Sequence, residues 1–226
     1  MSKLLAFLFL ITVFAACQYN RPIERNQGII TYKIKYPEEI MDKGYATFLP
    51  TKMESTFKGE SYKASIKGDL SLYNLEYISK ADGDTSMTLF RVFDKRMFHQ
   101  HNKGENLFLF ERFDDPQVEF IDAPNKQIAG VNCKKAMIHF VSSDLPSIPV
   151  YYTEETEFKH PKENTPFNEI PGVLMEFQMP FKNLTLTFIA QKVDIKQIKD
   201  EVFAVPDNYM SSESDEIDEL VSALIQ

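Results

Sequence analysis

The chain has 226 residues, 33 acidic against 25 basic side chains and a formal charge of −8, with 43% hydrophobic content. This length fits one domain, and the apolar content excludes a globally disordered chain. An acidic balance without a basic stripe argues against nucleic acid as a partner and against attraction to bare anionic lipid.

The first element is a leader. Lys3 supplies a positive start, Leu4 to Phe14 form an apolar run, and Ala15 and Ala16 precede Cys17 and the polar "QYNRPIERN". A basic start, an apolar stretch of about 7–15 residues and small residues at a cleavage point are the layout of a secretory signal peptide, here residues 1–16. A bilayer span needs about 20 apolar residues, more than this run provides. Read instead as a buried helix or strand, the run would have no polar face to turn to water.

Phe14-Ala15-Ala16-Cys17 resembles the lipobox of bacterial lipoproteins, with Phe in the place usually taken by Leu. The resemblance implies that Cys17 becomes the mature N-terminus and carries a diacylglycerol on its sulfur. Each buried CH₂ of an acyl chain contributes about 0.8 kcal/mol, so two or more chains give stable anchoring. Cleavage elsewhere would instead leave Cys17 able to pair with Cys133, the only other cysteine. Residues 17–26 then form a lipidated start and tether, nine extended residues of which reach at most about 30 Å. The acidic run that follows the cysteine in surface-exported lipoproteins of Bacteroidetes-like bacteria is missing. That places the protein, by resemblance, in the cell envelope, at the outer membrane and facing the periplasm.

From Gln27 the hydrophobic period is two. "ITYKIKY" puts Ile30, Tyr32, Ile34 and Tyr36 on one face and Thr31, Lys33 and Lys35 on the other. That alternation predicts a half-buried antiparallel strand. "YPEEIMDKG" predicts one short helix, with Pro37 at its first position and Gly44 as its stop. "ENLFLFERF" is apolar on both faces through Leu107 to Phe110 and reads as a central strand. "VLMEFQM" groups Val173, Met175, Phe177 and Met179, and "LTLTFIA" groups Leu184, Leu186 and Phe188. Turn signals at 58–59, 67–69, 81–84, 102–105 and 180–183 separate the runs. Many strands joined by local turns predict a meander, in a mainly β domain covering residues 27–226.

Between Leu145 and Gly172 the meander is interrupted by five of the twelve prolines. "VYYTEET" fits an edge strand within it, and "KHPKENTPFNEIPG" reads as a long loop, either a lid over a binding site or a mobile surface excursion. The C-terminus predicts a helix over 212–226. Ile217, Leu220, Val221, Leu224 and Ile225 form its stripe, Ser212 or Ser214 its cap, and Asp215 and Glu216 suit its positive end. Its acidic polar face favours docking on the sheet over lying on a membrane.

"IAGVNCKKA" (128–136), "YYTEE", "EIPGVLMEF" (169–177) and "FAVPDNY" (203–209) follow one another in an order that resembles the GLPGLI family of Bacteroidetes envelope proteins. Gly130, Cys133, Lys135 and Ala136 match its first element. Tyr151-Tyr152-Thr153 has Tyr for the family's Trp, and Ile170-Pro171-Gly172-Val173-Leu174 lacks the first Gly of the last. The resemblance implies a curved antiparallel half-barrel of the LolA/LolB/LppX outline, roofed by helices and able to hold acyl chains. It brings no catalytic residue with it.

A direct search for chemistry adds none. His99 and His101 in "MFHQHN" share a strand face with Met97, a spacing that could present two metal ligands. Without a CxxC or an acidic third ligand close by, they read as imidazoles on a solvent face, and no metal is assigned. Asp82 and Asp84 lack the other oxygens of a calcium loop. The adjacent pairs Asp114/Asp115 and Glu154/Glu155 point opposite ways on a strand. Cys133 shares a face with Met137 and His139, and reads as a half-buried thiol rather than a nucleophile. GxSxG, P-loop, GxGxxG and HExxH patterns are all missing. The expectation is a non-enzymatic, lipid-anchored protein without a cofactor, binding a lipid or acyl ligand. The alternative is an envelope interaction protein with a filled core.

Overall fold

The computed structural model describes residues 25–68, 71–80, 86–102, 105, 107, 113, 115–141, 145–155, 165–181 and 184–223. The leader, Cys17, the Asp82/Asp84 turn and most of "ENLFLFERF" lie outside the described residues. Within them the chain is mainly β, as expected. One curved, unclosed sheet of twelve strands carries a C-terminal helix, so of the forms open to a meander the chain takes the half-barrel.

The strands are β1 (Gln27–Lys35), β2 (Lys52–Lys58), β3 (Ser61–Lys67), β4 (Tyr73–Ser79), β5 (Ser86–Val92), β6 (Lys95–His101), β7 (Pro116–Ile128), β8 (Val131–Phe140), β9 (Ile148–Thr153), β10 (Val173–Phe181), β11 (Leu184–Ile195) and β12 (Met210–Ser211). Across the sheet they run β12-β6-β5-β4-β3-β2-β1-β11-β10-β9-β8-β7. Two antiparallel meanders therefore meet at the β1–β11 seam, and only β12 pairs in parallel, Met210 opposite Met97. The helices are α1 (Glu38–Met41), with Pro37 just before it, and α2 (Ser214–Ala223).

The period-two reading of β1 holds: Ile30, Tyr32 and Ile34 are buried while Lys33 and Lys35 are exposed. Their face, here the inner face, continues through Phe57 and Tyr62 on one side. On the other side it continues through Phe188, Phe177, Val150 and Ile138. Burying each such side chain contributes roughly 1.5–3 kcal/mol, so this face holds most of the core. In β10 the alternation breaks. A bulge between Leu174 and Glu176 makes Met175 an extra residue, so Val173 and Leu174 exchange faces relative to an unbroken strand. Val173, Met175, Phe177 and Met179 are all buried nonetheless.

Hairpin turns follow the local chemistry. Ala129 and Gly130, both at positive φ, link β7 to β8 in the two-residue manner that such conformations permit. Gly172 has no alternative. At φ +68, a Cβ there would lie 2.0 Å from the Thr153 carbonyl oxygen, where β10 starts beside the end of β9. The outer edge of β7 carries Pro116, Pro124 and an irregular, exposed stretch between Ile121 and Lys126, features that discourage pairing with another chain.

Two connections were not foreseen from periodicity. Because β6 and β7 stand near opposite ends of the sheet, the chain between them crosses from one side to the other. Leu107 and Phe113 on this crossing are buried in the inner core, Phe113 with its ring edge-on to Phe140 at 4.9 Å. Leu107 is in no strand, and the residues around it that the expected central strand needs, 106 and 108–112, lie outside the described residues. An apolar crossing segment and a doubly covered strand carry the same pattern. The second connection leaves β11 over the outer face, where Ile198 and Phe203 bury against Ile78, Met87 and Leu89. It then turns round the β6 edge as β12, and α2 returns on the inner face with Ile217 and Val221 against Phe90 and Met97. Helix α2 thus docks on the sheet as its stripe and acidic face predict. It spans 214–223 of the expected 212–226, and residues 224–226 lie outside the described residues.

Candidate functional site

The inner face has two regions. Around β8–β11 it is aromatic and aliphatic: Phe177 stacks on Phe188 at 5.0 Å and stands edge-on to Tyr32 at 6.0 Å and to Phe167 at 5.4 Å. Phe167 and Ile170 come from the proline-rich connection between β9 and β10 and are 3% and 1% exposed. Residues 165–170 of that stretch are therefore a packed cover, while 156–164 lie outside the described residues. The motif residues Gly130, Cys133, Ala136, Tyr152 and Gly172 fall in or beside the adjacent strands β8, β9 and β10.

Towards β2–β6 the same face turns polar. Ser55 Oγ and the Tyr62 hydroxyl lie 2.8 Å apart, with burial pushing the Tyr62 phenol above its ordinary range. Thr88 on β5 stands opposite His99 on β6 and reaches diagonally to His101, which lies opposite Ser86 on the same face. The sequence reading placed these imidazoles in solvent without an acidic neighbour, and both parts are corrected. His101 is 2% exposed, and Glu105, four residues on, turns back to both rings.

Each atom of this corner is oriented by a specific partner. Glu105 Oε2 accepts from the Asn102 amide at 2.9 Å and from its side-chain Nδ2 at 3.1 Å. Oε1 then stands 3.0 Å from His99 Nε2 and 3.3 Å from His101 Nδ1. The remote nitrogens are held too, His99 Nδ1 by the Ser212 carbonyl at 3.0 Å and His101 Nε2 by Thr88 Oγ1 at 2.8 Å. The Asn102 amide, reinforced by the imidazoles, holds the Glu105 carboxyl down to about 2. Burial, with His99 beside it, pushes the His101 imidazole down from its ordinary value. The missed signal is His-x-His followed by a turn that returns a carboxylate, a spacing that becomes compact only once the turn closes.

Cys133 and His139 do not form a pair. Six residues apart on β8, they are separated by about 20 Å. The imidazole is engaged by Ser147 Oγ at 2.8 Å and Glu119 Oε2 at 3.0 Å. The buried Cys133 thiol leans on the Val131 carbonyl, and burial pushes it up to about 11. Compared with known protein families and with curated proteins, the chain matches none.

Proposed function

We propose that this chain is a lipid-anchored, non-enzymatic protein of the bacterial cell envelope, tethered through Cys17, whose half-barrel holds an apolar ligand such as an acyl chain or lipid. The leader pattern and Phe14-Ala15-Ala16-Cys17 support the anchor. One observation carries the binding reading: the aromatic inner face is roofed by connecting segments and a helix instead of by a second sheet. Leu107 and Phe113, Phe167 and Ile170, and Ile217 and Val221 form this roof. Segments held by side-chain packing open at lower free energy than strands within a ladder, and concave apolar faces are where small hydrophobic ligands bind.

The same residues support a second reading. Leu107, Phe113, Phe167 and Ile170 are all at most 5% exposed, as in a core filled by its own chain. A filled core leaves the outer surface, facing another envelope component, as the functional part.

Native mass spectrometry separates the two. The chain from Gln18 to Gln226 is exported to a bacterial periplasm and purified without detergent. A reproducible added mass of a phospholipid or fatty acid, lost on denaturation, is the expected result. A clean apo mass that survives incubation with envelope lipids would overturn the carrier reading and leave the docking one. Mass analysis of the N-terminal peptide of the full chain tests the anchor separately, by the diacylglyceryl addition on Cys17.

A further inference from the structure

The corner of the inner face at His99, His101 and Glu105 has a feature that hydrogen bonding by a neutral His99 does not satisfy. The Ser212 carbonyl accepts only, so His99 Nδ1 carries a proton. In a neutral imidazole the other nitrogen, Nε2, is then a lone pair, and it points at Glu105 Oε1, itself an acceptor, at 3.0 Å. Two acceptors at this distance call for a cation between them. Either a second proton makes His99 an imidazolium, or a metal ion takes both lone pairs.

We propose that His99 Nε2, His101 Nδ1 and Glu105 Oε1 form a binding site for a divalent transition-metal ion of the zinc class. Three arguments favour the metal over the proton. The donor atoms already lie within 4.8 Å of one another, and Oε1 is 3.0 and 3.3 Å from the two nitrogens. Ligands about 2.1 Å from a tetrahedral ion are separated by about 3.4 Å, so the carboxylate oxygen already stands near ligand spacing from each nitrogen, and an ion would have to draw the two imidazole nitrogens about 1.4 Å closer together. Next, every donor has the outer partner that metal ligands have: a backbone carbonyl on His99, a hydroxyl on His101 and a paired amide on Glu105. The Ser212 carbonyl puts the His99 proton on the remote nitrogen, as a metal needs it, and the Thr88 hydroxyl, able to accept as well as donate, permits the same tautomer for His101. Finally, two imidazoles and one carboxylate are a borderline donor set that suits zinc-class ions better than calcium or magnesium.

The donors come from β6 and the turn after it, and the Ser212 carbonyl from the segment that enters α2. A bound ion would therefore fix the start of the inner-face crossing and, through His99, the point where the C-terminal segment rounds the sheet edge. Glu105 keeps 32% of its side-chain surface exposed, which gives an ion access from solvent and room for a water as fourth ligand.

The test uses the full chain in detergent micelles, stripped with EDTA and then titrated with Zn²⁺ by calorimetry and with Co²⁺ by visible absorption. The expected result is one equivalent bound, with the ligand-field bands of four- or five-coordinate Co²⁺. Glu105→Gln, which keeps the shape, and His99→Ala are each expected to weaken Zn²⁺ binding at least tenfold and to remove the Co²⁺ bands. Circular dichroism of the metal-free variants confirms that they fold, and either folded variant suffices. No saturable equivalent in the parent chain, or affinity unchanged in a folded variant, overturns the proposal. This outcome is independent of whether the half-barrel carries a lipid.

Discussion

The Tyr32 hydroxyl donates to the Leu174 carbonyl at 2.8 Å, across 142 residues of sequence. Tyr32 belongs to the strand where the two meanders meet, and Leu174 sits beside the bulge in β10. The bond satisfies a buried phenol and a carbonyl next to an irregular stretch of ladder, and it ties the seam to the aromatic region of the inner face. Tyr32→Phe keeps the ring and removes only the bond. A buried carbonyl left without its donor costs about 1–3 kcal/mol. The urea midpoint should fall accordingly with an unchanged slope, and a midpoint equal to the parent's would show that another donor replaces the phenol.

Phe177 contacts three rings, from the seam (Tyr32), β11 (Phe188) and the cover (Phe167). Phe177→Ala should destabilise the whole domain by about 3–5 kcal/mol, the usual cost of truncating a buried Phe. Phe167→Ala should lower global stability less, because a connecting segment can open by itself. It should instead expose the inner face, so that a fluorescent apolar dye binds the folded variant more strongly than the parent. Equal destabilisation by both changes, with no gain in dye binding, would mean that the cover and the sheet form one cooperative core.

What the sequence shows and what it hides divide along a physical line. Ile30, Tyr32 and Ile34 alternate with lysines because one face of β1 meets the core and the other meets water, so strand and face are both readable. The stripe of α2 is readable for the same reason. The place of Leu107 and Phe113 is not, since apolar residues that bury from a connection between distant strands show the same pattern as those of a buried strand. The His99–His101–Glu105 corner is only half readable. Alternation puts both imidazoles on one face, but whether that face is buried depends on the course of the segment 196–212, and nothing local encodes it. The β10 bulge likewise arises from pairing with β9, a partner that the residues of β10 do not specify.

Phe93 is 66% exposed and adopts φ +51 at the first position of the two-residue turn between β5 and β6. A side chain in this left-handed region pushes its Cβ towards the following carbonyl, at a cost of roughly 1–2 kcal/mol that glycine does not incur. Phe93→Gly gives up little burial and should stabilise the protein by about 0.5–1 kcal/mol after the greater freedom of glycine in the unfolded chain is counted. The melting temperature should rise. A fall would show that the exposed ring contributes packing that outweighs the strain.

Cys133 offers a pH-dependent readout of core integrity. Burial is the main influence that raises its thiol to about 11, and only the thiolate reacts with iodoacetamide. At pH 8 roughly a thousandth of the folded protein carries the thiolate, and that share grows about tenfold for each pH unit up to the folded pKa. In the unfolded chain the ordinary cysteine value returns, so labelling at pH 8 becomes fast. Peptide mapping should therefore find Cys133 almost unmodified in native protein at pH 7–8, increasingly modified towards pH 10, and fully modified in urea at any of these values. Burial at 1% exposure adds a steric barrier in the same direction. Rapid native labelling at pH 7.5 would mean that β8 opens at low free energy, and would place the weakest part of the domain beside the Gly130 turn and the start of β10 after Gly172.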